Sequence, residues 1–181
     1  MGLIYLDLFA KSAQGDYRKW GDPLVKESID YRPEDIAAAF ALMDAEPEKP
    51  WLIFGHFPFV SPDARVDLAG RKMGRLWPSA AALATHLEQP NNLLGIVCGH
   101  QHFNHLQFFT HGFHWAGFHW TLPSLVEYPC AAAVVMWDGA TLQGRIKPVD
   151  GELAATSLAA RQESWTKGEE ADQGFVWRVK E

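Results

Sequence analysis

Trp51-Leu52-Ile53-Phe54-Gly55-His56-Phe57-Pro58 and Leu93-Leu94-Gly95-Ile96-Val97-Cys98-Gly99-His100-Gln101-His102 decide how this chain is read. In both stretches a short, uncharged apolar run gives way to Gly-His. A run of that length between breakers fits a strand buried on both faces, as in a parallel sheet. Ligands of such sheets gather outside the carboxyl ends of the strands. Glycine at that point lets the backbone turn sharply or come close to a ligand. Using the device twice places His56 and His100 on one rim. His102 follows two residues after His100, and in extended backbone i and i+2 side chains share a face. The sequence therefore predicts three imidazoles on that rim, a set able to hold a divalent ion. Imidazole suits Zn, Fe and Mn, whereas carboxylate partners draw harder ions. The plainer alternative is polar capping of strand ends.

Working outward, residues 2–6 read as a short buried strand and 8–32 as loop with at most a helical turn, punctuated by Gly15, Gly21 and Pro23. A helix is predicted from Pro33, with Glu34 and Asp35 at the positive end of its dipole. Ile36, Ala39, Phe40 and Met43 form its apolar face, and Pro47 and Pro50 end it. Residues 59–77 form a long connection, suited to a flap over a site. A second helix is expected over about Pro78–Gln89, with Ala80, Leu83, Ala84 and Leu87 inward. Strand, helix, strand, helix, strand implies an α/β fold with parallel neighbours. Leu106–Thr110, Phe113–Trp120 and Ala131–Trp137 then read as strands, and Asp138-Gly139 as a hairpin turn into Thr141–Ile146. Residues 151–181 read as an appended tail or edge element.

The chain has 181 residues, 48% of them hydrophobic and 21% charged, values of an ordinary globular domain rather than a disordered chain. A formal net charge of -6 argues against stable nucleic-acid binding through phosphate neutralisation. It leaves room for a phosphorylated small molecule, because bound metal reverses the local sign of charge. Cys98 and Cys130 are too few for a disulfide framework. Cys98, between Val97 and Gly99, reads as a small core hydrophobe. No apolar run approaches the roughly 20 residues of a membrane span, and the opening residues lack a signal-peptide pattern. As it stands, the chain is expected to be cytoplasmic and to have no membrane partner.

The ordered pair Gly55-His56-Phe57-Pro58 and Gly99-His100-Gln101-His102, each after an apolar strand, resembles the last two metal motifs of the calcineurin-like metallophosphoesterases. The likeness covers about residues 1–147. Tyr5-Leu6-Asp7 is similar to the strand these enzymes place after their Asn-His motif, and Thr121-Leu122-Pro123-Ser124 to their closing segment. The resemblance implies a layered αββα sandwich with a mixed sheet and a C-terminal β-hairpin. Residues 1–150 would be the C-terminal half of that domain, and 151–181 a tail or edge extension. It implies two divalent metal ions (Mn, Fe, Zn or Mg), with His56 and His100 on one and His102 on the other. It also implies hydrolysis of a phosphomonoester or phosphodiester by metal-bound hydroxide.

The family's Asp-x-His, Gly-Asp-x-x-Asp and Gly-Asn-His motifs are absent from the sequence. Gln14-Gly15-Asp16 and Gly21-Asp22-Pro23 contain Gly-Asp, but neither follows a buried strand. Two-metal hydrolysis needs cations roughly 3.5–4 Å apart sharing a hydroxide, and three neutral imidazoles cannot offset or bridge them. The expectation is a truncated domain that is weakly folded or self-associates through an open sheet edge, and that is inactive alone. No residue is assigned a catalytic or substrate-binding role; Arg65, Arg71, Lys72 and Arg75 could meet a phosphate but suit a solvated loop face better. Asn104 and His105 either line the site or sit in a surface turn. His111, His114 and His119 read as strand positions, His86 as an exposed helix residue, and Asp7 as a strand-end residue. Two other classes remain open: a non-catalytic metal-binding or scaffold module on the same fold, and a cupin-like oxygenase. The strand–helix alternation and the distance to Glu127 disfavour the second.

Overall fold

A computed structural model describes residues 1–6, 9–10, 29–60, 79–89, 91–109, 116–161 and 164–179. Strands β1 (Gly2–Tyr5), β2 (Phe9–Ala10) and β3 (Ile29–Asp30) lead into helix α1 (Pro33–Ala45) and strand β4 (Trp51–Phe54). Helix α2 (Ser79–Leu87), strand β5 (Leu93–Cys98), strand β6 (His105–Phe109) and strand β7 (Gly117–Thr121) follow. Strands β8 (Ala131–Trp137) and β9 (Thr141–Pro148), helix α3 (Gly151–Arg161), two 3-10 turns (Ser164–Lys167 and Glu170–Asp172) and strand β10 (Gly174–Arg178) complete the chain. The architecture is mixed α/β.

One sheet runs β1-β4-β5-β7-β6. Its first four strands are parallel, and β6 lies antiparallel to β7. A second, antiparallel sheet runs β10-β9-β8, with β8 and β9 joined by the Asp138-Gly139 hairpin. Within residues 8–32, expected to be loop, β2 and β3 pair antiparallel with Phe9 opposite Asp30.

Helix α1 forms where its pattern puts it. Pro33 fits the first turn, where its missing N–H costs nothing. The Arg32 guanidinium grips both Asp35 carboxylate oxygens at 2.7 Å. Ile36, Ala39, Phe40 and Met43 are the residues it buries. Asn92, just before β5, donates to the Glu46 and Lys49 carbonyls at 2.9 and 2.7 Å and so pins the turn from α1 into β4. Helix α2 is rotated relative to expectation. Leu83 and Leu87 are buried but Ala84 is exposed, and Ala82 packs inward instead. His86 is not a free surface residue. Its ring stacks on Phe40 at 4.4 Å with 8° between planes.

The five-stranded sheet is buried on both faces, which is why β4 and β5 read as continuous apolar runs. One face carries Trp51, Ile53, Leu93 and Ile96 against α1 and α2. The other carries Leu52, Leu94, Val97, Phe118 and Trp120 against Leu142 of β9 and Phe175 of β10. Burying each such side chain contributes about 1.5–3 kcal/mol. The final strand is thus part of the core: β10 pairs with β9 and its Phe175 packs on Phe118 and Trp120 at 4.4 and 5.4 Å.

Asn104 and His105 are neither rim nor surface-turn residues. Both are buried. Asn104 accepts from Trp120 Nε1 at 2.9 Å and donates to the Asp172 carbonyl at 2.8 Å. Asp172 takes the Leu106 and Glu169 N–H groups, each at 2.8 Å, and His105 Nδ1 stands 3.7 Å from it. This network ties residues 164–172 to β6. Buried polar groups so close to strand ends need partners, and the C-terminal segment supplies them.

Gly95 has a steric reason to be glycine. It lies opposite Phe118 in the β5–β7 ladder, and a Cβ there would run into the Phe118 ring. Gly95→Val is expected to cost about 1–3 kcal/mol through overpacking, read as a lower urea midpoint at unchanged m-value. An unchanged midpoint would show that the ring does not sit over Gly95.

Candidate metal centre

Strands β4, β5 and β7 all end on one edge of the sheet, and the ladder continues past them. The Gly55 N–H donates to the Val97 carbonyl and the Gly99 N–H to the His56 carbonyl, both at 3.0 Å. The Leu122 N–H donates to the Cys98 carbonyl at 2.7 Å. Both Gly-His turns and the segment after β7 are thereby fastened side by side. Tyr31, just ahead of α1, holds the first turn from beneath. Its hydroxyl accepts from the Phe57 N–H at 2.7 Å and donates to the Phe57 carbonyl at 3.2 Å. A Cβ at Gly55 would collide with that hydroxyl, so glycine is required there. Stranding the buried Phe57 amide would cost about 1–3 kcal/mol. No pattern in the sequence marks Tyr31, because its partner lies 26 residues away.

His56 and His100 meet at this edge. Nε2 of His56 and Nδ1 of His100 are 3.2 Å apart. Phe57 packs edge-on against the His100 ring at 4.4 Å. His56 keeps one edge in solvent, yet burial of the rest lowers its pKa, with the nearby charge His102 can carry adding to the effect. Burial first, then the neighbouring His56 and His102, pull His100 down to about 4. Both rings are therefore neutral near pH 7, which is the ligating form.

The backbone at the second motif is not extended. His100 and His102 have φ of 69° and 56°, and the Gln101 N–H turns back to the Gly99 carbonyl at 2.8 Å. The i, i+2 argument for a shared face consequently fails. Left-handed backbone at non-glycine residues is uncommon and clusters at functional turns. His102 instead turns its Nδ1 to Glu127 Oε2 at 2.8 Å. Glu127, which the sequence offers only as a remote acid for a cupin-like site, lies against His102 despite the 25 residues between them. Among the described residues, no set of three His, Cys, Asp or Glu side chains is gathered to hold a metal ion.

His119 closes the arrangement from β7. Its Nε2 accepts the Phe59 N–H at 3.2 Å, fixing the chain that leaves His56. The ring is buried, and burial, reinforced by His105, lowers its pKa to about 3. Cys98 lies beside it, Sγ 3.5 Å from His119 Nε2. Burial pushes that thiol up to about 12, so it acts as packing rather than as a nucleophile. Asp7, Arg65, Arg71, Lys72, Arg75, His111, His114, the Gly-Asp pairs near Gly15 and Gly21, and most of the 59–77 connection lie outside the described residues.

No protein-family model matches the chain, and no curated protein does. Among solved structures, a dimetal phosphatase from Danio rerio is similar, with a TM-score of 0.52 and 16% identity, over 68% of this chain and 38% of that one. The fold is similar to that of this dimetal phosphatase. At that identity the likeness is one of fold, and this chain spans well under half of the phosphatase's length.

His119 carries a pH dependence whose sign follows from its lowered pKa. Between about 6.5 and 3 the unfolded chain takes up a proton that the folded chain refuses. Stability is thus full above about pH 6.5 and falls as the pH drops, by at most about 1.4 kcal/mol per pH unit for one histidine. Urea midpoints measured from pH 7.5 to pH 5 should decline, and His119→Gln should flatten the decline. A profile level across that range would contradict the buried, neutral imidazole.

Proposed function

We propose that this chain carries the histidine-bearing portion of a metal-dependent phosphoester hydrolase, acting on a phosphorylated small molecule. In this reading residues 1–150 are the C-terminal half of an αββα sandwich, and 151–181 extend its edge. The observation that carries it is the meeting of His56 and His100, 3.2 Å apart, at the carboxyl edge of adjacent parallel strands. Two nitrogens each about 2.1 Å from one ion, at an angle of roughly 100°, stand about 3.2 Å apart. That spacing is that of an N–H···N hydrogen bond between the rings and also suits two ligands on one divalent ion, with His102 as a further donor. Bound ions would supply a hydroxide and neutralise charge on the phosphoryl oxygens.

The chain's own residues do the holding. Phe57 packs against the His100 ring, partial burial keeps both imidazoles unprotonated, and the ladder beyond the strands sets their spacing. Three imidazoles bring no negative charge, and the family's carboxylate motifs are not in this sequence. The chain alone is accordingly expected to bind an ion and turn over phosphoesters poorly. A non-catalytic metal-binding or scaffold role is the second reading. It is favoured by the absence from this sequence of the family's carboxylate motifs.

Titration calorimetry with Zn²⁺ or Mn²⁺ tests the site. About one ion per chain is expected, with His56→Ala and His100→Ala each weakening binding by an order of magnitude or more. Absence of binding, or variants that bind like the parent, would remove the metal reading. Vigorous hydrolysis of bis-p-nitrophenyl phosphate, lost in His100→Ala, would overturn the expectation of poor turnover and the scaffold role together.

The sheet edge supplies a proposed partner as well. Among the described residues β1 is an edge strand, uncharged throughout, with Leu3 48% and Tyr5 67% exposed. Such an edge invites strand addition, and we assign it to self-association. Light scattering after size exclusion should show mass rising with concentration, and Leu3→Lys should return the chain to monomer. A parent chain that stays monomeric at high concentration would refute this.

A further inference from the structure

Glu127 belongs to neither Gly-His motif, yet its carboxylate reaches His102. Its Oε2 stands 2.8 Å from His102 Nδ1. We propose that Glu127 is a positioning residue that fixes His102 in the Nδ1–H tautomer, leaving Nε2 as the ring's lone-pair donor for a divalent cation. The proposal rests on the metal reading of this edge.

The chemistry of the contact sets the tautomer. An ionised carboxylate can only accept, so the proton between the two groups sits on Nδ1. In a neutral ring Nε2 is then bare, and a bare nitrogen is what a cation needs. A ring protonated on Nε2 instead could not ligate through that atom. His102 also needs an outside anchor. Its backbone is left-handed, so no strand presents the side chain, and half of the side chain is exposed. Histidines that hold metals commonly give their second ring N–H to a carboxylate, which fixes the ring and raises its basicity.

Glu127 is itself held in place, which a casual surface contact would not require. Ser124 Oγ accepts the Val126 and Glu127 N–H groups at 3.2 and 3.1 Å. The Glu127 carbonyl takes the Cys130 N–H at 2.7 Å, and the Ser124 carbonyl takes the Ala131 N–H at 3.1 Å. One residue on, the Tyr128 N–H is bonded to Ser157 Oγ and the Tyr128 carbonyl to Thr166 Oγ1, both at 2.9 Å. The turn is thus fastened to β8, to α3 and to the segment after α3. The Glu127 side chain is 24% exposed against 51% for His102, so the pair is partly withdrawn from water. Exposed pairs contribute little to stability, and the value of this one lies in direction.

Ring ¹⁵N NMR of the full chain without metal, at about pH 8 where histidine is ordinarily neutral, reads the tautomer directly. His102 should show a protonated Nδ1 and a bare Nε2. Glu127→Gln, whose amide can donate or accept, and Glu127→Ala should both release the ring to a mixture of tautomers. Zn²⁺ affinity should fall about 10–100-fold in Glu127→Ala, and that drop should vanish when His102→Ala is already present. Glu127→Gln, nearly isosteric, keeps the test alive should the alanine variant misfold. A parent ring already mixed, or protonated on Nε2, overturns the proposal, as does an equal drop with and without His102. If the tautomer is as expected but no ion binds the parent chain, the metal reading fails and the tautomer assignment stands.

Discussion

Two hydrogen bonds beyond the ends of β4 and β5 set the spacing of the two Gly-His turns. The Gly55 N–H to the Val97 carbonyl and the Gly99 N–H to the His56 carbonyl prolong a parallel ladder by one step past each strand. Parallel ladders are evenly spaced, so this extra step transmits the register of the core to the turns that follow. The register itself is fixed by burial on both faces: a slip by one residue would exchange the side chains facing α1 and α2 with those facing β9 and β10. Precision in the interior thereby becomes precision at the edge, where two imidazoles meet.

The same edge shows how one residue type is put to different uses by its surroundings. His56 and His100 are partly buried among Phe57 and each other, and so stay neutral without losing access. His119, fully enclosed in β7, accepts a backbone N–H at Nε2 and has become structural. His105 faces Asp172 in the interior, and His86 serves as a flat surface for Phe40. His102 alone among these pairs with a carboxylate at short range from an exposed position. Accessibility and the nature of the nearest polar atom, rather than position in a motif, separate the candidate ligands from the packing histidines.

The C-terminal third covers the second face of the sheet and bonds to the segments beside the edge. Without Leu142 and Phe175 the second face of the sheet would lose its two buried covering side chains, and Trp120 the ring packed edge-on against it. Asp172 and Asn104 then convert that packing into a fixed approach for β6, through hydrogen bonds that are buried and mutually satisfied. The turn bearing Glu127 hangs from the same segment by way of Ser157 and Thr166.

The sequence by itself determined the elements whose signals are local. The bounds of β4 and β5, the buried face of α1 and the hairpin at Asp138-Gly139 all follow from runs, periods and turn residues, because each depends on neighbours within a few positions. The Gly-His repeat likewise announced which strands would end together. What only the tertiary structure decided is pairing between distant segments: Tyr31 beneath Gly55, Phe40 against His86, Asn104 with Asp172, and Glu127 with His102. It also decided the left-handed turns at His100 and His102, which undid the extended-strand argument. The physical reason is the range of the forces involved. Hydrophobic periodicity is written into adjacent residues, whereas a hydrogen bond or a stacked ring takes its partner from whatever the packed layers bring within a few ångströms.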